Sequence, residues 1–308
     1  MKLGEIPPAR LFEELSGPGI RLKVGPFIIR LRTSVHSFVE AFQYGYTDFS
    51  LCEATEISDF QVRLVPRWPR GAAFYSDGDR VFKRFRVGLA MAFAEWGINF
   101  CIYTYAHQFL MIHSAIVEKG GRAIILAGPP GSGKSTLCAA LLGKGWRLLS
   151  DEFTLLRPDD GGLVPIPRPV ALKGTSIGLI RELVPDACIG PIFPGTHKGT
   201  ITHLRPPTDA VLRQCEIARP GWIAFPKYRP GAETRLVPMS KGQAFARLID
   251  NCFNYEALGQ VGFDCLTDAI DAADCYELPL GDCDLAVRAI DSLAEAPPIC
   301  GGRTGHAA

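Results

Sequence analysis

The strongest structural signal in this chain lies in residues 111–156, MIHSAIVEKGGRAIILAGPPGSGKSTLCAALLGKGWRLLSDEFTLL. Residues 128–135, GPPGSGKS, fit the pattern G-x-x-x-x-G-K-[ST] of a phosphate-binding loop, or P-loop. The unbroken apolar run before this loop, residues 123–127, predicts a buried parallel strand. Residues 135–142 after it predict a helix with glycines at its carboxyl end.

A strand, a glycine-rich loop and a helix N-terminus together direct backbone N–H groups at an anion. In such a loop Gly133 would let the backbone approach phosphates, Lys134 would reach the β- and γ-oxygens, and Ser135 would offer its hydroxyl to Mg²⁺. We therefore predict a site for ATP and Mg²⁺, with GTP left open as the nucleotide, formed by Gly128, Pro129, Pro130, Gly131, Ser132, Gly133, Lys134, Ser135 and Thr136. The alternative is a glycine turn that merely joins a strand to a helix.

Two acids follow the next predicted strand, residues 146–150: Asp151 and Glu152. Strand ends in an open parallel sheet line the ligand crevice, so the pair suits one magnesium ligand and one base for an acceptor hydroxyl. The alternative is that one acid, most readily Glu152, only caps a turn in solvent. His113 lies on an apolar strand predicted to form a hairpin with the loop strand, and its role there is either structural or catalytic.

His113-Ser114, residues 128–135 and residues 148–152 (LLSDE) together resemble the catalytic core of HPr kinase/phosphorylase. Within that family the chain looks most like the HprK-related kinase A branch, whose pattern includes a stretch like residues 197–207 (HKGTITHLRPP). The resemblance implies an α/β fold, with a P-loop kinase domain of the HPr kinase/phosphoenolpyruvate carboxykinase type. It also implies the catalytic carboxylate role for Asp151, the magnesium role for Glu152, and a positioning or tuning role toward Asp151 for His113.

Three departures from the family pattern bear on the substrate. Ser114 replaces a glycine, Glu152 replaces a second aspartate, and Pro129-Pro130 replace acidic and small loop residues. A counterpart of the Arg-Pro-Gly-Arg-Asn stretch near the C-terminus of HPr kinases is also missing. The expected acceptor is therefore a protein or peptide other than HPr itself, and reverse phosphorolysis stays open. HPr kinases are oligomeric, so the resemblance also implies a homo-oligomer.

The composition of the chain limits which other classes of function are expected. The chain has 308 residues, a hydrophobic fraction of 47%, charged residues at 21% and a net charge of +1. Because the positive and negative charges nearly balance, the net charge of the chain gives no reason to expect binding to nucleic acid or to an acidic membrane surface. The ten cysteines are scattered without a C-x-x-C pair, as core residues are. With no signal-like leader and no apolar run expected to reach the length of a membrane span, we predict a cytoplasmic protein without a membrane partner.

Three regions are predicted along the chain. Residues 1–105 form a smaller α+β domain that binds or positions a partner, residues 106–296 form the catalytic domain, and residues 297–308 form a flexible tail. The first region carries paired strands, a hairpin turn at Asp77-Gly78 and an apolar helix over residues 87–105. Its basic run of Arg63, Arg67 and Arg70 around Trp68 either grips a peptide or is a solvated rim.

Residues 185–207 hold prolines and glycines too densely for regular structure and predict an irregular lid. There His197, Lys198 and Arg205 would bring positive charge to the transferring phosphoryl group, Arg205 being the preferred member because guanidinium binds phosphate bidentately. The alternative is that these cations only solvate the loop. Beyond it we predict strands at 222–226 and 276–280, and helices at 241–253, 263–273 and 284–293.

The sequence favours a serine kinase, a phosphotransferase that moves the γ-phosphoryl group of ATP to a serine or threonine hydroxyl of a protein or peptide. Asp151 would accept the hydroxyl proton. A small-molecule (metabolite) kinase and a nucleotide-binding switch with slow hydrolysis are the alternatives.

Overall fold

The computed structural model describes residues 1–295, a mixed α/β chain with three β-sheets. The predicted tail at residues 297–308 lies outside the described residues. The first 16 residues hold a 3₁₀ helix, Leu3–Glu5, and helix α1, Pro8–Ser16, neither of which was predicted.

The N-terminal region folds as a five-stranded sheet in the order β1-β2-β3-β4-β5. Its strands are β1 (Ile20–Val24), β2 (Phe27–Thr33), β3 (Phe60–Arg67), β4 (Gly71–Ser76) and β5 (Asp79–Arg86). Pairing is antiparallel except between β2 and β3. Apolar and polar residues alternate along β1 to β3, so one face packs on α2 (His36–Gly45) and α3 (Ala90–Tyr105) while the other faces solvent. The turn predicted at Asp77-Gly78 joins β4 to β5.

The second sheet has seven strands in the order β14-β15-β13-β7-β6-β8, with β9 also paired to β6. They are β6 (Leu110–Lys119), β7 (Arg122–Ala127), β8 (Arg147–Ser150), β9 (Phe153–Leu156), β13 (Arg219–Tyr228), β14 (Val237–Pro238) and β15 (Asp274–Leu280). β7, β13 and β15 are parallel, whereas β6 runs antiparallel to both of its neighbours β7 and β8. The hairpin predicted between the strand of His113 and the loop strand is therefore confirmed. Because β6 separates β7 from β8, these two strands point the same way and end at the same edge.

Helices cover both faces of this sheet. On one face lie α4 (Lys134–Leu142), α5 (Ser176–Leu183) and α10 (Cys283–Glu295), and on the other lie α7 (Lys241–Ile249) and α9 (Gln260–Asp271). Helix α7 is capped by Ser240, whose hydroxyl accepts the N–H of Gln243, but it ends four residues before the predicted end. Two short helices, α6 (Thr208–Leu212) and α8 (Tyr255–Leu258), complete the set.

A third sheet contradicts the irregular lid predicted at residues 185–207. Strands β10 (Val170–Lys173), β11 (Phe193–Thr196) and β12 (Gly199–Leu204) pair in the order β10-β12-β11. β11 and β12 form a hairpin whose turn contains His197 and Lys198. Gly195 and Gly199 have φ angles of 74° and 82°, so these glycines shape the turn instead of preventing regular structure.

The hydrophobic core of the N-terminal sheet continues into the part of the chain that follows α3. One cluster joins Leu64 and Phe74 of that sheet to Met111 of β6, Leu155 of β9 and Ile201 of β12.

Contrary to the sequence expectation, one segment, Val87–Tyr105, is long and apolar enough to cross a membrane by length and composition. Within the fold 56% of that window is buried, since α3 packs on the sheet. The nine described cysteines are free thiols.

Candidate functional site

The P-loop connects the end of β7 to the first turn of α4. Gly131 and Gly133 have φ angles of 84° and 103°, which favour glycine. A Cβ on Gly133 would also lie 2.6 Å from Leu280 Cδ2. The N–H groups of residues 133–136 donate no hydrogen bond to any acceptor in residues 1–295. This turn of backbone can therefore bind an anion, as the sequence predicts.

Lys134 is buried, with 6% of its surface exposed. Its Nζ donates hydrogen bonds to the carbonyl oxygens of Gly128 and, at 3.1 Å, of Pro129. Burial lowers the pKa of Lys134, and the negative charges of Asp151 and Glu152 oppose that shift. The lysine therefore shares one electrostatic environment with both acids.

Asp151 follows β8 at the same sheet edge and is also only 6% exposed. Its Oδ2 accepts the N–H of Ala171 at 3.1 Å, while its Oδ1 has no hydrogen-bond partner among the described residues. Burial raises the pKa of Asp151 to about 7, and the charge of Glu152 adds to the effect. The nearby Ser135 side chain, the Ala171 amide and Lys173 oppose it. A carboxylate with this pKa can exchange a proton near neutral pH.

His113 lies on β6 next to Ser114, which pairs with Ala127 at the start of the P-loop. Its Nδ1 is 3.3 Å from the carbonyl oxygen of Glu152 and 3.9 Å from Glu152 Oε2. Burial and the charge of Lys134 lower the pKa of His113, whereas Glu152 raises it. The acid that His113 contacts is thus Glu152, whereas the resemblance paired the histidine with Asp151.

Asp151 and Glu152 suit a metal ion that is also coordinated by the phosphates of a bound ligand. No group of three His, Cys, Asp or Glu side chains within residues 1–295 could hold an ion alone. Mg²⁺ in nucleotide sites is usually bound by one or two protein oxygens together with phosphates and water. Ser135, Asp151 and Glu152 fit that requirement, because Asp151 Oδ1 is a buried oxygen without a partner in the described part of the chain.

Two of the three cations expected in the lid, Lys198 and Arg205, have different surroundings. Lys198, in the β11–β12 turn, has its Nζ 5.3 Å from the centre of the Trp96 ring. Burial and Lys173 lower the pKa of Lys198, and Glu152 raises it, so this lysine lies within electrostatic reach of Glu152. Arg205 instead contacts Cys188 Sγ at 3.0 Å and lies over the Tyr44 ring at 5.3 Å. The fold brings Lys198 toward the site and directs Arg205 toward the N-terminal region.

A large cavity and a narrow one adjoin these residues. The larger, here called the loop cavity, has a volume of about 770 Å³ and is lined by residues 127–132 and 225–228, the turn at 250–253, Arg247 and His113. The narrow one, here called the inner cleft, measures about 20 Å³. Its walls include Glu95, Trp96 and Asn99 of α3, and Asp151, Arg168 and His203.

Comparison with known proteins gives partial matches. The family described as SynChlorMet cassette protein ScmC matches residues 91–171, about a quarter of the chain. That segment runs from α3 through the P-loop to β10. No curated protein matches the chain in sequence.

Among solved structures, the Hpr(Ser) kinase/phosphatase from Coxiella burnetii is similar over 60% of this chain and 93% of that one. The two chains are 12% identical and the TM-score is 0.27. This is a distant structural relationship, and it assigns no role to any residue of the site.

The polar network beside Asp151 was not predicted. Glu95 Oε2 and Arg168 Nη1 form a buried ion pair at 3.0 Å, and the Tyr46 hydroxyl donates to Glu95 Oε1 at 2.7 Å. Burial, Arg168 and Lys173 lower the pKa of His203 to about 4, so its ring is neutral. Two sequence signals pointed here: Glu95 is the one charged residue of α3, and Arg168 stands between two prolines in an apolar stretch.

Proposed function

We propose that this protein is an ATP- and Mg²⁺-dependent kinase that transfers the γ-phosphoryl group to a serine or threonine hydroxyl of a protein or peptide. The observation that carries the proposal is Asp151, a buried carboxyl group with one oxygen that has no hydrogen-bond partner within residues 1–295. It lies with Ser135 and Lys134 at the edge where the P-loop begins. A site that only bound nucleotide would not need a buried base of this kind.

The nucleotide would bind along the P-loop. Backbone N–H groups of residues 133–136 would hold phosphate oxygens, and Lys134 would exchange its loop carbonyl partners for the β- and γ-oxygens. The loop cavity, at about 770 Å³, is large enough for a nucleoside. Bound Mg²⁺ would neutralise phosphate charge. Ser135 and Glu152 are the residues that would hold it, which leaves Asp151 Oδ1 available to the acceptor hydroxyl.

In the transfer step the acceptor oxygen bonds to the γ-phosphorus as the bond from that phosphorus to the β–γ bridging oxygen breaks. The hydroxyl proton passes to Asp151 Oδ1, the oxygen that accepts no hydrogen bond within residues 1–295. Base catalysis of this kind contributes about 10²–10⁴-fold. Lys198 would add positive charge from the β11–β12 turn, and such charge stabilises the transition state of transfer more than the ground state.

The size of the inner cleft supports a polypeptide acceptor. At about 20 Å³ the space next to Asp151 would admit the end of a serine or threonine side chain, whereas a metabolite kinase needs a pocket that encloses its whole substrate. The departures from the HPr kinase pattern at Ser114 and Pro129-Pro130 favour an acceptor other than HPr itself.

The proposal is tested with purified protein, ATP and Mg²⁺, using proteins encoded beside its gene as acceptors. Mass spectrometry should detect stoichiometric addition of phosphate to a serine or threonine. Asp151→Asn should abolish this transfer while nucleotide binding, measured by calorimetry, persists. Lys134→Ala should weaken nucleotide binding itself.

Transfer by the Asp151→Asn protein at nearly the wild-type rate would refute the role of Asp151. ATP hydrolysis without phosphate on any acceptor would support the switch with slow hydrolysis instead. Phosphate recovered only on a small molecule would support the metabolite kinase.

A further inference from the structure

The solvent-facing side of the N-terminal sheet carries a dense set of arginines that the proposed chemistry does not use. We propose that this surface, here called the basic face, binds an acidic segment of a partner polypeptide. The basic face consists of Arg21, Arg30, Arg32, Arg63, Tyr75 and Arg80.

The strand register places these side chains in rows across the sheet. Arg32 of β2 pairs with Arg63 of β3, Arg63 pairs with Tyr75 of β4, and Tyr75 pairs with Arg80 of β5. A second row places Arg30 directly opposite Arg21 of β1. Like charges directly opposite each other destabilise a sheet. An external anion that lay across both rows would remove that repulsion.

The chain itself supplies little to neutralise these arginines. None of the five forms an ion pair within 4.0 Å with an acidic side chain in residues 1–295. Arg32, Arg63 and Arg80 are exposed. A guanidinium group binds a carboxylate bidentately, so each of these free side chains can take one glutamate or aspartate.

A groove already exists between the rows. It has a volume of about 160 Å³, and Arg30, Arg32, Arg63 and Tyr75 are among its lining residues. The Tyr75 hydroxyl accepts a hydrogen bond from Arg67 Nη2, and Arg63 Cζ lies 5.3 Å from the centre of the Tyr75 ring. The aromatic ring is thus held in place between cations and offers an apolar floor for an extended peptide.

Protection of a sheet edge does not explain the basic face. Charged residues on edge strands prevent unwanted strand pairing. Arg32 and Arg63, however, lie on β2 and β3, which have partners on both sides. Their position in the interior of the sheet points to a function of the face instead.

The charge of the whole chain favours an acidic polypeptide over a nucleic acid. Proteins that hold a phosphate backbone through many contacts usually carry a marked excess of positive charge. This chain has 33 basic and 32 acidic residues, a net charge of +1, so its positive potential is local. A short acidic segment matches a patch of this extent.

The basic face lies on the opposite side of the sheet from α3, which lines the inner cleft. The inference therefore goes beyond the proposed kinase activity and does not require it. If the kinase proposal holds, the face gives an acceptor protein a second contact, remote from its reacting hydroxyl.

The test measures fluorescence anisotropy of a fluorescein-labelled peptide of alternating glutamate and glycine against the full chain, at low and at physiological salt. The chain should bind this peptide, more weakly at the higher salt, and the double variant Arg32→Glu/Arg63→Glu should bind at least about tenfold more weakly. The control Arg181→Glu/Arg288→Glu changes charge equally on exposed helical positions and should bind as wild type. The Asp151→Asn variant should bind the peptide as tightly as wild type does. Peptide binding and phosphoryl transfer are therefore tested separately, and failure of one proposal does not imply failure of the other.

Thermal unfolding shows whether the Arg32→Glu/Arg63→Glu variant folds. If that variant does not fold, the Arg32→Gln/Arg63→Gln variant is used in its place. No binding by wild type, equal binding of a glutamine–glycine peptide, or undiminished binding by the folded double variant would overturn the proposal. Tighter binding of an oligothymidylate, lost in the same variant, would also overturn it and identify a nucleic-acid surface.

Discussion

Replacing Asp151 by asparagine should stabilise the fold above neutral pH while it ends phosphoryl transfer. The wild-type carboxyl is buried, and its pKa is raised from the ordinary 3.8 to about 7. The folded state therefore holds this proton more tightly than the unfolded state. Ionising the group inside the fold costs free energy, and asparagine, which has nearly the same shape, avoids that cost.

The pH range and size of the effect follow from these two pKa values. Below pH 3.8 the carboxyl is protonated in both states and contributes nothing. Between 3.8 and about 7 the unfolded state loses its proton first, so wild-type stability falls as the pH rises. Since each tenfold change in proton affinity is worth about 1.4 kcal/mol, the full destabilisation above pH 7 is about 4 kcal/mol.

Urea unfolding followed by tryptophan fluorescence measures this effect at about pH 5 and about pH 8. The stability gained by Asp151→Asn over wild type should be clearly larger at the higher pH. Asp159→Asn, an exposed acid in a surface turn, is the matched control and should show no such pH-dependent gain. Equal gains at both pH values, or a loss at the higher one, would refute the assignment of Asp151 as a buried, proton-retaining group.

Three further changes probe other parts of the site. Glu95→Gln or Arg168→Met alone should lower the free energy of unfolding by about 3–5 kcal/mol in urea titrations, because each leaves a buried charge without its partner. Gly133→Ala should reduce nucleotide affinity by at least about tenfold in calorimetry, since the residue has a φ of 103° and its Cβ would clash with Leu280. Lys198→Ala should slow phosphoryl transfer by about 10²-fold without changing nucleotide affinity.

Each of these changes has its own control. The double variant Glu95→Leu/Arg168→Met should lower the free energy of unfolding by less than either single change does. A loss equal to the sum of the two single losses would argue against a coupled pair. Gly145→Ala tests positive φ alone, because Gly145 has a φ of 78° with nothing within 4 Å of its added Cβ, and it should leave nucleotide affinity unchanged. Arg205→Ala should lower the thermal midpoint but not the transfer rate. A rate loss in the Arg205 variant matching that of Lys198→Ala would contradict the separation of the two cations.

The local parts of the site were predictable because they lie within one short segment. A strand, a glycine loop and a helix start are contiguous in residues 122–142, and each has its own sequence signal. The same holds for Asp151, which directly follows an apolar strand. The prediction that glycines and prolines make residues 185–207 irregular failed because two of the glycines occupy turn conformations that only a folded hairpin requires.

The long-range parts could not be predicted from patterns. The insertion of β6 between β7 and β8 depends on pairings that no local periodicity specifies. Glu95 and Arg168 are 73 positions apart, and each is a lone charge in an apolar segment. Only the packing of α3 against the extended stretch before β10 brings them together beside Asp151. The contact of His113 with Glu152 likewise depends on the pairing of β6 with β9.

The continuous core beneath the N-terminal sheet has a consequence for how this protein can be divided. Cutting the chain after α3 would expose Met111, Leu155 and Ile201 to water, all of which are at most 1% exposed in the fold. Neither fragment would keep a complete apolar interior, so grafting a different N-terminal half onto the P-loop half would require redesign of the shared layer. If the proposed phosphoryl transfer holds, a change of acceptor is therefore better attempted by exchanging surface residues than by exchanging the N-terminal half.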